Sequence, residues 1–333
     1  MTGNRESVVT AFLRKHDWHE AGRRRLAGDA SFRKYDRLEG PRGRAVLMDA
    51  PPPQEDVRPF VRIARHLAAH GFGVPLIMAE DQDTGLLLLE DLGDDTYTRL
   101  LARGHDEREL YALAVDALIA LHRLPARDAV PDGVVPYGQA RLLEEVSRVN
   151  SWYRQLVGAQ ALSPHTERAY GEIWMKVLPR AWRVPTALVL FDFHIDNLVL
   201  IAGRSGLRSC GILDFQDAVA GPATYDLMSL LEDARRDINP ALVAQMKERY
   251  LAAFPNIRRE DFELSWAVMA AQRHARVIGT FARLKLRDNK PHYLVHMPRL
   301  WRYMDVCLAH PALKDLKAWF DTHVPQELRA VPT

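Results

Sequence analysis

The chain has 333 residues, of which 47% are hydrophobic and 26% charged, and 45 Lys and Arg face 43 Asp and Glu. This composition supports a sizeable core and excludes a disordered chain, and the near-neutral charge argues against a dedicated nucleic-acid binder. No apolar run approaches the roughly 18 residues of a membrane helix, and no secretory signal opens the sequence, so we expect a cytoplasmic protein without membrane contacts. Cys210 and Cys307 are too few for a disulfide framework.

The first ninety or so residues predict a helix followed by a small, mostly antiparallel sheet with one helix inside it. The predicted elements are a helix over 6–18, strands over 31–38 and 45–48, a helix over 54–70, and strands over 76–79 and 86–90. In the second helix, Phe60, Ile63, Ala64 and Leu67 recur at helical spacing and predict one buried face.

The rest of the chain is predicted to be largely helical, with a few strands in its middle. Helices are expected over 106–123, 139–157 and 165–182, and strands over 187–191, 198–201 and 208–213. Long helices should follow to the C-terminus, with breaks at Pro240, Pro255, Pro291 and Pro311.

The candidate catalytic and metal-binding residues begin where the predicted strand over 187–191 ends. Asp192 follows that strand, Asn197 comes five residues later, and Asp214 follows the next strand pair, 22 residues after Asp192. Two carboxylates and one carboxamide are thus expected to converge. Phosphoryl transfer needs such a set, because one Asp accepts the proton of the attacking hydroxyl while hard oxygen ligands hold magnesium on the phosphates.

This pattern resembles a known family. The string Asp192-x-His194-x-x-Asn197, followed by Leu213-Asp214-Phe215, is similar to the motifs of the aminoglycoside-phosphotransferase and choline-kinase-like group of the protein-kinase fold. That group carries His-Gly-Asp-x-His-x-x-Asn and then Ile-Asp-Trp/Phe. The segments 28–35, 48–52 and 216–235 are most similar to a bacterial branch of the group, the cell-wall-recycling kinases of the anomeric hydroxyl of N-acetylmuramate and N-acetylglucosamine.

The resemblance implies an α+β, two-lobed, protein-kinase-like fold and an ATP- and Mg²⁺-dependent small-molecule kinase. Residues 1–92 would form the small antiparallel β lobe that binds the nucleotide. Residues 93–333 would form the helical lobe with the catalytic loop, the metal site and the acceptor pocket. The partner would be an amino sugar, and the sequence leaves the oligomeric state open.

The same resemblance assigns roles to single residues. Asp192 is the catalytic base, Asn197 and Asp214 are the magnesium ligands, and His194 and Asp226 support the catalytic loop. The candidate ATP-binding residues are Gly28, Asp29, Ala30 and Ser31 of a phosphate-covering turn, the cations Arg33 and Arg44, and Glu90 and Leu92 of the hinge that binds adenine.

Three features depart from the family pattern, one of which is a phosphate-covering turn that is not a Gly-x-Gly-x-x-Gly. Leu190 replaces the His that usually stands two residues before the base, so one hydrogen bond that supports the catalytic loop is missing. Met48 and Asp49 stand where related kinases carry the Lys that pairs with the phosphates. The cation must then come from a neighbouring residue, and the candidates are Arg33, Lys34 and Arg44.

The identity of the acceptor is the feature that the sequence determines least. The segment 273–302 holds eight basic residues and one acidic residue, which suits an anionic acceptor better than a polycationic aminoglycoside. Arg273 and Arg276 could bind the lactyl carboxylate of N-acetylmuramate, or they could be surface or structural ion-pair residues. An aminoglycoside or other small-alcohol kinase, a nucleotide-binding regulator with little activity, and a hydrolytic metal site at His194 stay open as alternatives.

Overall fold

The computed structural model describes residues 2–26 and 32–329 and contains two compact units. The first unit consists of Met1–Ala117 and Ile195–Ala218, and the second of Leu118–His194 and Val219–Thr333. The segment 195–218 therefore packs with the N-terminal part of the chain. The functional lobes expected over 1–92 and 93–333 are a different division, and they stay a prediction.

The first unit is built on an antiparallel sheet. Its strands are β1 (Gly22–Arg25), β2 (Lys34–Gly40), β3 (Gly43–Asp49), β4 (Ile77–Asp81) and β5 (Leu86–Glu90), which lie in the order β1-β2-β3-β5-β4. Its helices are α1 (Thr2–Lys15), α2 (Arg58–Ala69), α3 (Tyr97–Ala102) and α4 (Glu107–His122), the last of which continues past Ala117. Leu38 of β2 and Leu47 of β3 are buried in one core with Phe12, Leu13 and Trp18.

Helix α2 confirms the face predicted from its spacing, since Phe60, Ile63, Ala64 and Leu67 are all buried. The helix begins at Arg58, four residues later than predicted. The side chain of Asp56 accepts a hydrogen bond from the N–H of Arg58 at 3.0 Å and satisfies one of the free donors at this helix end.

A short hairpin completes the first unit. It consists of β7 (Leu198–Leu200) and β8 (Cys210–Ile212), with short 3₁₀ turns at Ile195–Asn197 and Gly206–Ser209. The N–H of Ile212 donates to the carbonyl of Gly73 at 2.7 Å. Gly73 has to be glycine for this approach, because a Cβ there would lie 2.5 Å from the carbonyl oxygen of Cys210. The ring of Phe215 then stacks on Phe60 at 4.9 Å, so the chain after β8 is held against α2.

The second unit is mostly helical and packs around one long helix. Its helices are α5 (Gln139–Arg148), α6 (Arg154–Leu156), α7 (Pro164–Val177), α8 (Thr224–Leu231), α9 (Pro240–Ala253), α10 (Arg259–Leu286), α11 (Met297–Leu308) and α12 (Lys314–His323). A π-helical turn spans Val149–Tyr153, and 3₁₀ turns span Leu178–Arg183, Pro291–His296, Pro311–Leu313 and Gln326–Leu328. Helix α10 is the centre of the packing, since every residue over 265–275 is buried.

The strands of the second unit include one that the sequence analysis missed. The predicted strand over 187–191 is β6 (Thr186–Val189), and it pairs with β9 (Val219–Pro222) in antiparallel register. Strand β9 has only four residues, and its Gly221 and Pro222 are poor strand formers, so its sequence carries little strand signal. The α+β class is confirmed, and among the described residues no helix is long and apolar enough to cross a membrane.

Candidate functional site

The first unit contains a cavity of about 280 Å³ beside β3, β5 and the segment that follows β5. Its apolar lining includes Leu26, Val46, Phe60, Pro75, Leu89, Leu92 and Leu213. Asn197 and Asp214, which the sequence singled out as metal ligands, are among its polar lining residues. A mostly apolar wall with a few convergent polar groups is the usual form of a small-molecule site.

The hairpin β7–β8 brings Asn197 and Asp214 to the same end of the cavity. Leu198 pairs with Ile212 in the hairpin, so the residues just outside it, Asn197 and Leu213, face each other. The N–H of Leu213 donates to the carbonyl of Asn197 at 2.9 Å. Asp214 follows directly, and both Asn197 and Asp214 line the cavity.

Asp214 adopts a backbone conformation that is unusual for its residue type. Its φ is +58°, in the left-handed region, and its Oδ1 accepts a hydrogen bond from Gln216 Nε2 at 2.9 Å. Backbone strain of this kind persists only where the surroundings hold it, and it concentrates at ligand-binding and catalytic positions.

A cation lies beside Asp214. Arg33 Nη1 is 4.0 Å from Asp214 Oδ1, and Arg33 Nε is 3.4 Å from Glu55 Oε2. Both members of the Arg33–Glu55 pair are largely buried, with 14% and 17% of their side chains exposed. Burial acts to lower the pKa of Arg33, but the charges of Tyr35, Asp214, Glu55 and Asp217 outweigh it and the pKa is raised. Glu55 was not foreseen from the sequence, since no motif contains it.

The other proposed cation, Arg44, is held elsewhere. Its Nη2 lies 2.9 Å from Asp91 Oδ2, an atom that also pairs with Arg37 Nε at 2.8 Å. Asp49, at the position of the missing Lys, pairs with Arg5 at 2.6 Å. The geometry therefore favours Arg33 over Arg44 as the cation next to Asp214.

The predicted hinge lines the cavity. Glu90, Asp91, Leu92 and Gly93 all contribute to the wall. The N–H of Glu90 donates to the carbonyl of Leu76 at 2.8 Å, and Asp91 Oδ1 accepts from the N–H of Gly93 at 3.0 Å. The Asp91 side chain thus folds back on its own turn. The predicted phosphate-covering residues Gly28, Asp29, Ala30 and Ser31 lie outside the described residues.

The second unit holds Asp192 on a loop that a buried carboxylate supports. Asp226, 1% exposed, accepts hydrogen bonds from the N–H of Leu190 at 2.6 Å and of Phe191 at 3.0 Å. Phe191 has a φ of +76°, at the position where the family pattern has glycine. Two backbone donors to one carboxylate fix this turn, which directly precedes Asp192. Burial raises the pKa of Asp226 to about 7, although both backbone hydrogen bonds act to lower it.

An aromatic and guanidinium cluster surrounds the ring of Phe191. Tyr225 stacks on it at 5.6 Å, and Tyr137 contacts it edge-on at 5.6 Å. The guanidinium of Arg276 lies 4.3 Å from the ring centroid and that of Arg141 lies 4.6 Å from it. Tyr137 and Arg141 belong to no motif, and only the fold reveals that they lie beside the loop that carries Asp192.

The two arginines predicted for the acceptor differ sharply. Arg276 is half-buried, and its Nη2 donates to the hydroxyl of Tyr225 at 3.1 Å. Arg273 is only 4% exposed, its Nη1 donates to the carbonyl of Glu232 at 3.4 Å, and burial lowers its pKa. This environment suits a structural role for Arg273 better than contact with a dissolved acceptor.

His194 is 5% exposed, and its pKa is lowered well below the ordinary value by burial and by the charges of Arg235 and Arg273. A neutral, buried imidazole suits the predicted support of the loop. In the described part of the chain, the three-residue group with metal-ligand geometry is Glu232, His274 and Cys307, and His194 is not among them. The hydrolytic metal alternative at His194 therefore gains no support.

Two curated relatives are similar to this chain over most of their length. The N-acetylmuramate/N-acetylglucosamine kinase of Caulobacter vibrioides is 36% identical, with 99% of this chain and 99% of the relative covered. The protein of the same name from Pseudomonas aeruginosa is 38% identical, with 87% of this chain and 85% of the relative covered.

Solved structures show the same fold. The GDP complex of aminoglycoside 2'-phosphotransferase-IIIa superposes with a TM-score of 0.63 at 14% identity, with 91% of this chain and 99% of that chain covered. The kinase-like α+β fold expected from the motifs is thereby confirmed. The model of the phosphotransferase enzyme family matches residues 22–262. With the motif, the fold and the relatives in agreement, this chain belongs to the phosphotransferase enzyme family.

Proposed function

We propose that this chain is an ATP- and Mg²⁺-dependent kinase that transfers the γ-phosphoryl group to the anomeric hydroxyl of N-acetylmuramate or N-acetylglucosamine. The observation that carries the proposal is that Asn197 and Asp214, at the two ends of one hairpin, both line a mostly apolar cavity. The names of the curated relatives supply the acceptor.

The side chains in the cavity fit a magnesium ion. A carboxylate and a carboxamide oxygen are hard ligands of the kind that Mg²⁺ takes in phosphate-binding sites. Asn197 and Asp214 would hold the ion, which when bound neutralises negative charge on the phosphates. The strained φ of Asp214 and its hydrogen bond from Gln216 hold the carboxylate in this position before any ligand arrives.

The same cavity suits the nucleotide. Its apolar wall would cover the two faces of adenine, and the backbone carbonyl of Glu90 and the N–H of Leu92 would bind the adenine edge. Arg33 supplies the cation that related kinases take from a Lys. Because Glu55 pairs with Arg33 Nε, the guanidinium is kept near Asp214 with its Nη groups toward that carboxylate.

Asp192 accepts the proton of the acceptor hydroxyl as the oxygen attacks phosphorus. The loop that carries it is fixed by the two hydrogen bonds from Leu190 and Phe191 to Asp226. In the family, a histidine at position 190 supports the catalytic loop through a hydrogen bond. Leucine at this position cannot make that bond, and the aromatic cluster around Phe191 supports the loop instead.

The proposal is tested by ADP release from ATP and Mg²⁺ with a panel of acceptors that holds both amino sugars, kanamycin and choline. We expect ADP release with the two amino sugars and a much slower reaction with kanamycin and choline. A faster reaction with kanamycin would favour an aminoglycoside kinase. Binding of ATP and Mg²⁺ in a thermal-shift assay without turnover of any acceptor would favour a nucleotide-binding regulator.

A further inference from the structure

Arg276 is a half-buried cation that makes no direct ion pair in the described part of the chain. Its one hydrogen-bond partner there is the neutral hydroxyl of Tyr225, and its Nε is buried without any partner. The carboxylates of Glu145 and Asp192 act on its guanidinium through their charge and raise its pKa, without a direct ion pair among the described residues. Its N–H donors are therefore not saturated by a carboxylate of the described residues, and a guanidinium with donors left over can bind an anion that comes from outside the chain.

The neighbouring arginine provides the contrast. Arg141 stacks on the same Phe191 ring, but its Nε lies 3.0 Å from Glu145 Oε1, so its charge is already paired. Glu145 is itself held by hydrogen bonds from Tyr137 and from Gln272 Nε2 at 2.9 Å. Of the two cations on this ring, Arg276 is the one that makes no direct ion pair among the described residues, although the charges of Glu145 and Asp192 raise its pKa.

The position of Arg276 places it on the acceptor side of the reaction. Its guanidinium lies 4.3 Å from the ring of Phe191, and the next residue in the chain is Asp192. The negative charge of Asp192 is among those that act on Arg276. A side chain next to the base is in position to contact the acceptor, which is the molecule whose hydroxyl the base deprotonates.

We propose that Arg276 binds the carboxylate of an acidic acceptor sugar, the lactyl carboxylate of N-acetylmuramate, and so favours that sugar over neutral ones. This inference rests on the proposed function. N-acetylmuramate differs from N-acetylglucosamine by a lactyl ether that bears one carboxylate. A guanidinium binds a carboxylate through two parallel N–H donors, which gives both charge pairing and a fixed orientation.

The test compares three acceptors that differ mainly in this group: N-acetylmuramate, its neutral methyl ester and N-acetylglucosamine. The measured quantity is the ratio of kcat/KM for the acid to that for the ester, since general damage to the catalytic loop cancels in it. The unaltered chain should prefer the acid. Arg276→Gln should lower this ratio about tenfold or more, as the loss of one charge-assisted contact predicts.

Arg141→Gln is the matched control, because it removes a guanidinium from the same ring whose charge is already paired. It should leave the ratio near that of the unaltered chain. Arg276→Lys keeps the charge but loses the two-pronged geometry, so its ratio should lie between those of the unaltered chain and Arg276→Gln.

Several outcomes would overturn the inference. One is an unaltered chain that uses the acid and the ester equally well, a result that needs no variant to fold. Another is a ratio that Arg276→Gln leaves unchanged while KM for ATP rises, which would assign Arg276 to the phosphates. An unaltered chain that phosphorylates none of the three sugars would instead overturn the proposed function itself.

Discussion

The N–H of Leu213 donates to the carbonyl of Asn197 at 2.9 Å, and this single backbone contact sets the spacing of the candidate metal ligands. It closes the hairpin β7–β8 at the end where the cavity lies. Asn197 directly precedes β7, and Asp214 follows two residues after β8. Both residues therefore line the cavity from one hairpin rather than from two independent loops.

The first prediction concerns the base. Asp192→Asn keeps the size of the side chain but cannot accept a proton. Because general-base catalysis contributes typically about 10²–10⁴-fold, we expect kcat to fall by that order. ATP binding, measured by thermal shift with Mg²⁺, should be largely kept. A variant within about twofold of the unaltered chain, below the range for general-base catalysis, would remove Asp192 from this role.

The second prediction concerns the metal ligands. Asp214→Ala removes the one charged ligand, so activity should collapse, and raising the Mg²⁺ concentration should restore little of it. Asp217→Ala is the control, because Asp217 is an exposed carboxylate three residues away. If Asp214→Ala kept the magnesium dependence of the unaltered chain, the convergence of Asn197 and Asp214 would have no role in metal binding.

The third prediction separates the two candidate cations. Arg33→Ala should raise KM for ATP or lower kcat about tenfold or more, since a charge-assisted hydrogen bond is worth roughly 1.5–3 kcal/mol. Arg44→Ala should have a smaller effect, because Arg44 pairs with Asp91. Steady-state kinetics with varied ATP measure both. A larger loss for Arg44→Ala than for Arg33→Ala would reverse the assignment.

The fourth prediction concerns the pH dependence of stability. Burial raises the pKa of Asp226 from 3.8 to about 7 in the folded chain. The folded state therefore holds this proton more tightly than the unfolded state, and the free energy of unfolding should fall as the pH rises from about 4 to about 7.

Asp226→Asn removes this titration, so the difference in unfolding free energy between the two chains isolates it. We expect the unaltered chain to lose stability relative to Asp226→Asn across that pH range in denaturant titrations. A difference that does not change with pH would show that Asp226 keeps its ordinary pKa in the folded chain.

Local sequence pattern placed Asn197 and Asp214 at the two ends of a predicted strand pair, and in the structure they flank the hairpin β7–β8 and line one cavity. Their role as magnesium ligands stays a prediction. Strand β9 was missed because its four residues include glycine and proline. The local sequence pattern of β9 gives too weak a strand signal, and its pairing with β6 determines its extended conformation.

Contacts between segments that are far apart in the chain could not be predicted from local sequence patterns. Glu55 is paired with Arg33 by the fold alone. Arg273 and Arg276 lie three residues apart on α10 and look alike in the sequence, yet one is buried against a carbonyl and the other stacks on Phe191. The difference comes from the elements packed around α10, which no single-segment pattern encodes.

Transfer of a phosphoryl group to an anomeric hydroxyl can be followed by ³¹P NMR of the reaction with ATP, Mg²⁺ and N-acetylmuramate. We expect a new phosphomonoester resonance, split by the anomeric proton, that grows as the γ-phosphate of ATP disappears and that grows at least about a hundredfold more slowly with Asp192→Asn. Inorganic phosphate as the sole new resonance, or a phosphomonoester coupled to another position of the sugar, would contradict it.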